Sequence, residues 1–244
     1  MKCPGQDSRY WRADAILEVK CPKCGSEVEF FKDEATRKCK ACGHRFLNPG
    51  LDFGCASYCQ YAEQCIGNLP PELISQKENL LKDRVAIEVK KFFGRDFKRI
   101  GHATRVARYA EQIGREEQGN LAVIIPAAYL HDIGIKEAEA RDPGKVPETH
   151  SELGVPAARE ILSKLKAREE LIDEICAIVG SHHRAPPGFS REFACVYDAD
   201  LVANLEDDRK DNPPDKLKAM VDERFLTDAG KRLALKVLGL KGDE

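Results

Sequence analysis

A chain of 244 residues with 42% hydrophobic and 33% charged side chains is long enough for one sizeable core and a second small module. Its formal net charge of -2 excludes a general electrostatic pull on nucleic acid or a membrane surface, leaving only local patches for such contacts. No apolar run reaches the length of a membrane span, and Met1-Lys-Cys-Pro-Gly-Gln-Asp lacks the apolar stretch of a secretory signal, so the expectation is a cytoplasmic protein with reduced thiols.

Eight of the ten cysteines precede residue 66. In a reducing compartment clustered thiols hold metal more often than they form disulfides. Cys21-Pro-Lys-Cys24-Gly25 and Cys39-Lys-Ala-Cys42-Gly43 are two Cys-x2-Cys-Gly knuckles, and four thiolates at this spacing complete a tetrahedral zinc site. Each glycine follows the second cysteine, where a positive backbone dihedral turns amide groups toward the sulfurs. Glu27–Phe31 alternates as a hairpin strand would. The pattern resembles a zinc ribbon. Charges between Lys20 and Arg45 are mixed, which favours a structural or protein-contact role over nucleic-acid binding.

A second thiol set follows, Cys55, Cys59 and Cys65, with Cys3 as its fourth member. Cys55 and Cys59 share a face of any helix through them. Four sulfurs suit a second zinc or a 4Fe-4S cluster, and the spacing matches no standard ferredoxin run. With Cys3 included, residues 1–66 form one cysteine-rich unit with Tyr10 and Trp11 as its small core. Gly67-Asn-Leu-Pro-Pro71 is then a linker, residues 67–71, because consecutive prolines stop a helix.

From Glu72 the apolar period becomes helical. Leu73, Leu80, Leu81, Val85, Ile87, Val89 and Phe92 predict a helix ending at Gly94; Val106, Ala110 and Ile113 predict one from Arg99 to Gly119. Leu121–Leu130 is apolar all round and runs directly into His131-Asp132-Ile133-Gly134. Residues 136–148 read as a loop, Thr149-x-x-Glu152 as a capping box opening the next helix, Leu171–Val179 as a helix ending at His182-His183, and 214–240 as one final helix. Strand-like alternation is absent after residue 72.

His102, His131, His150, His182 and His183 concentrate at helix ends, with Asp132 and Asp200 on neighbouring elements. The sixth histidine, His44, follows the second knuckle. Helix capping by histidine accounts for one or two of these positions, not for five with two carboxylates. Adjacent helical residues point about 100° apart, so His131 and Asp132 reach one ion or two neighbouring ions only if the last turn loosens.

On this helical background His102, then His131-Asp132, then His182, then Asp200 resembles the HD-domain superfamily of metal-dependent phosphohydrolases, over about residues 72–210. The resemblance implies a mainly α, HD-type bundle over 72–244 behind the small zinc-ribbon-like module. It further implies that His102, His131, Asp132 and Asp200 bind a first metal, with Asp132 bridging to a second held by His150 and His182 or His183. Fe, Mn, Zn, Ni and Co all suit such ligands. The implied activity is hydrolysis of a small phosphate ester such as a nucleotide; a di-iron oxygenase of the same fold and a non-catalytic ligand or redox sensor are the alternatives. The Gly-Tyr-Pro extension of cyclic-di-GMP phosphodiesterases is missing after His183. Phosphoryl oxygens need positive charge beyond the metals, and Lys136 and Arg184 are the expected sources, with Arg105 behind them; Lys145 in the loop is a candidate lid residue. Whether the cysteine-rich head contacts protein or nucleic acid, or simply dimerises the chain, stays open in the sequence.

Overall fold

A computed structural model of the chain describes residues 16–31, 34, 36–50 and 71–240. Cys3, Cys55, Cys59, Cys65, Tyr10 and Trp11 lie outside them. The chain divides into two compact units, Met1–Lys77 and Glu78–Glu244. Among the described residues no helix is long and apolar enough to cross a membrane.

Among its described residues the first unit holds two small hairpins. β1 (Ile16–Lys20) pairs antiparallel with β2 (Glu27–Phe31), and β3 (Thr36–Lys38) with β4 (Arg45–Leu47). Each Cys-x2-Cys knuckle is the turn of one hairpin. Gly25 and Gly43 take the left-handed conformation, φ 74° and 73°, and their amides bond back to the carbonyls of Cys21 and Cys39. Alternation along β2 buries Val28 and Phe30, and Phe46 meets the Phe30 ring edge-on at 5.1 Å. The buried Asn48 side chain donates to the carbonyls of Phe31 and Glu34 and accepts from Gly50 N.

The second unit is helical. Its elements are α1 (Pro71–Phe93), α2 (Phe97–Glu116), α3 (Leu121–Leu130), α4 (Ile135–Arg141), α5 (Val146–Lys164), α6 (Glu169–Ser181), α7 (Arg191–Asp207), α8 (Pro214–Arg224) and α9 (Asp228–Leu238). α3, apolar on every side, lies among α2, α6 and α7; α4 and α6 pack on α5, and α9 packs on α7. Among its described side chains α1 buries Leu81, Val85, Val89 and Phe93, spaced by four. Ile87 and Phe92, expected inside, fall off that stripe and are 52% and 40% exposed.

Three expectations change. Residues 136–148 are largely helical: α4 reads Ile-Lys-Glu-Ala-Glu-Ala-Arg, almost all strong helix formers, and a 3-10 turn over Pro143–Lys145 leads into α5. Consequently Thr149 caps nothing; its hydroxyl donates back to the Lys145 carbonyl from inside α5. The expected final helix is two, broken at Phe225–Thr227. Thr227 caps α9 by accepting from Gly230 N, while the buried Asp198 carboxylate accepts from Leu226 N, Thr227 N and the Thr227 hydroxyl at 2.9, 2.8 and 2.7 Å.

Gly134 ends the His-Asp turn because a side chain has no room there. Its backbone is right-handed, φ -80° and ψ -7°. A β-carbon there would stand 2.1 Å from the His150 carbonyl oxygen and 2.3 Å from Gly154 N. Glycine lets the start of α4 touch the backbone of α5, which brings Asp132 to His150. Gly134→Ala is therefore expected to destabilise the helical unit by about 3 kcal/mol, lowering Tm by about 6 to 12 °C in a thermal melt.

Candidate metal centre

His131 is the last residue before α3 dissolves into a turn, and the turn is tighter than an α-helix. Ile133 N bonds to the Leu130 carbonyl and Ile135 N to the Asp132 carbonyl, both three residues back. This is the loosening needed for neighbouring His131 and Asp132 to reach one region. His182 ends α6 in the same manner as His131 ends α3.

Three imidazoles are fixed identically. Nδ1 of His131, His150 and His182 donates to the carbonyls of Ala128, Val146 and Val179 at 2.8, 2.7 and 2.7 Å. A carbonyl only accepts, so a proton sits on Nδ1 and the Nε2 of each ring points away from it. All three rings are buried, and the buried Nε2 atoms of His131 and His182 have no hydrogen-bond partner in the protein.

The donors gather into two sets. His102 Nε2 lies 3.2 Å from Asp200 Oδ1, and His131 Nε2 lies 3.3 Å from Asp132 Oδ2 and 3.5 Å from Asp200 Oδ1. In the other set Asp132 Oδ1 lies 3.1 Å from His150 Nε2 and 3.6 Å from His182 Nε2, and the Nε2 atoms of His150 and His183 are 2.8 Å apart. Donors bonded to one ion at about 2.0–2.2 Å stand about 2.8 to 3.6 Å from each other at right-angle or tetrahedral geometry. These spacings, with two orphaned lone pairs aimed inward, fit transition-metal ions. Both His182 and His183 stand in the second set.

The electrostatics point the same way. Burial works against charge throughout, yet Asp132 and Asp200 lift His131 well above the usual histidine range, and the histidines hold both carboxyls well below theirs. His183, the exposed member, is pushed down to about 4 by desolvation and by neighbouring His182 and His150. Two carboxylates facing five imidazoles keep protons where cations would otherwise sit.

The expected phosphate-binding cations have other placements. Lys136 donates its ammonium to the carbonyls of Phe92 and Phe93 at 3.1 and 3.0 Å, near both rings, and so caps α1. Arg105 is committed to Glu206 and Asp207. Lys145 lies 3.9 Å from Asp142. The exposed Arg184 follows His183 directly. Asp198, which sequence reading passed over, is buried two residues before Asp200 and ties α7 to α9; an acid inside an apolar run was its only signal.

Residues 99–205 match the HD domain family. That stretch of the chain is an HD domain. It contains both donor sets. The structure is similar to the crystal structure of a predicted HD superfamily hydrolase from an uncultured Thermotogales bacterium, with 23% identity, 66% of this chain and 86% of that one covered, and a TM-score of 0.49. No curated protein matches the sequence.

In the N-terminal unit the sulfurs of Cys21, Cys24, Cys39 and Cys42 form one group, with Cys21 3.7 Å from Cys42 and Cys24 3.6 Å from Cys39. Hydrogen bonds from Ser26 hold Cys24 down to about 6. Cys42 is pushed up to about 12: a bond from the His44 backbone favours its thiolate, but burial and the neighbouring Cys24 and Cys21 outweigh it. Four sulfurs this close cannot all ionise without a cation between them, which fits a zinc-ribbon-like module.

Metal loading of the histidine cluster should depend on pH with a definite sign. His131 and His150 have raised pKa values, so at low pH they hold protons that an ion must displace. Lowering pH from 7.5 to 5.5 should weaken divalent-ion binding by about tenfold per pH unit for each proton displaced, as read by titration calorimetry.

Proposed function

We propose that the HD domain is a metal-dependent phosphohydrolase acting on a nucleotide or another small phosphate ester at a binuclear centre. One observation carries the reading: the two oxygens of a single carboxylate, Asp132, face two different donor sets, Oδ2 toward His102 and His131 and Oδ1 toward His150 and His182. A carboxylate so placed would help hold an ion on each side, and paired ions are suited to hold the attacking and leaving oxygens of a phosphoryl transfer.

Divalent ions bound there would supply Lewis-acid charge and lower the pKa of water toward neutrality. The protein's own contribution is positional. Carbonyl anchors at Ala128, Val146 and Val179 keep three Nε2 atoms aimed at the centre, so no reorganisation is required as charge develops. On this reading Arg184, exposed and next to His183 in the chain, is assigned to the phosphoryl oxygens, because Lys136 and Arg105 are engaged elsewhere. The Cys21/Cys24/Cys39/Cys42 set is assigned a structural zinc.

Protein purified without chelator should carry close to two transition ions in the histidine cluster and one zinc in the ribbon, by elemental analysis; 4Fe-4S at the second thiol set would add about four irons and sulfide. Asp132→Ala should lose both histidine-bound ions and lower phosphate release about a thousandfold or more, with the ribbon zinc retained. Absence of phosphate release across nucleotides and simple phosphate esters, after reloading with Mn, Fe, Co, Ni or Zn, would refute the reading. Turnover that requires O2 would replace it with the oxygenase.

A further inference from the structure

α7 delivers Asp200 to the centre and is buried almost all round. Phe193, Ala194, Cys195, Val196, Asp198, Ala199, Leu201, Val202, Ala203 and Leu205 all have their side chains in the core. In the middle of the helix two positions escape: Tyr197 is half-buried and Asn204 is exposed. They stand three residues before and four residues after Asp200, the spacings that put side chains on one helix face. The open positions of α7 therefore lie along one side of the face that carries Asp200, whose other side, Val196 and Ala203, is buried. At about 1.5 Å per residue, Tyr197 begins about 4.5 Å along the axis on one side of Asp200 and Asn204 about 6 Å on the other.

The Tyr197 ring is braced. Phe193, one turn earlier, lies nearly parallel to it at 5.8 Å and 25°, and Phe189 follows at 5.9 Å from Phe193. A ring held from behind by an aromatic ladder presents its other face as a rigid stacking surface at little entropic cost. Asn204 adds an amide that both donates and accepts. A metal-held phosphate flanked by a braced π-face and an amide matches the chemistry of a phosphate ester whose organic part is planar, aromatic and edged with donors and acceptors.

We infer that Tyr197 and Asn204 form the organic-group subsite of the HD centre and select a nucleobase, Tyr197 by stacking and Asn204 by hydrogen bonding. The inference rests on the reading of the centre as a phosphate site, and it narrows the substrate to nucleoside phosphates over aliphatic phosphate esters.

The test is calorimetric binding of adenosine monophosphate and of inorganic phosphate to the metal-loaded full chain, alongside phosphate release from adenosine monophosphate and glycerol phosphate. Wild type should bind the nucleotide more tightly than inorganic phosphate. Tyr197→Ala should weaken nucleotide binding about ten- to a hundredfold, as expected for loss of one base–aromatic stack, and shift inorganic phosphate less than twofold. Tyr197→Phe should restore stacking, and Asn204→Ala should weaken the nucleotide selectively. Equal loss for both ligands in Tyr197→Ala, or nucleotide binding no tighter than inorganic phosphate in wild type, would overturn the subsite. Selective nucleotide binding through Tyr197 with no phosphate released would uphold the subsite while removing the hydrolase reading. Release from both esters with no effect of Tyr197→Ala on nucleotide binding would do the reverse.

Discussion

Helix ends leave carbonyls without helical partners, and this protein spends two of them on imidazoles. The Ala128 carbonyl near the end of α3 and the Val179 carbonyl near the end of α6 each accept an Nδ1–H from the histidine three residues on. The same bond that satisfies a helix terminus fixes a tautomer and aims a lone pair. Because both termini are buried, the orphaned Nε2 atoms have no hydrogen-bond partner in the protein. An ion in each donor set would satisfy them, and the core around α3 depends on the same arrangement that gathers the donors.

Much of this could be read in the sequence because helix ends are local features. The all-apolar Leu121–Leu130 stretch announced a central helix, and its abrupt polar ending announced the site. The order of donor residues His102, His131-Asp132, His150, His182-His183, Asp200 was visible in the sequence, and the structure draws those side chains into two adjoining sets, although His102 and Asp200 lie inside α2 and α7 and not at their ends. The ribbon was equally legible, since both glycines with positive φ sit where the knuckle requires them.

What sequence left hidden depends on distant partners. Lys136 lies four residues after Asp132, close enough on paper to serve the phosphate, but the open carbonyls of Phe92 and Phe93 claim it, and no local pattern encodes that pairing. Gly134 reads as a helix breaker until α5 is seen against it. The split of the last helix at Phe225–Thr227 is imposed by Asp198 from a different element, through three hydrogen bonds that replace helical ones. The segment at 136–148 fails as a loop for the opposite reason: its helix propensity is local and strong, and Pro, Gly and charge at its end masked it.

The near-complete burial of α7 constrains how such a protein can diversify. Most of its side chains answer to the core, Asp198 answers to α9, and Asp200 answers to the histidines. A mutation on this helix therefore usually trades against folding or metal retention before it touches selectivity. Of the two positions in the proposed subsite, Tyr197 still packs on Phe193 while the exposed Asn204 carries little of that burden, so descendants of this chain could change the compound they accept most freely at Asn204 while the fold and the donor sets stay as they are.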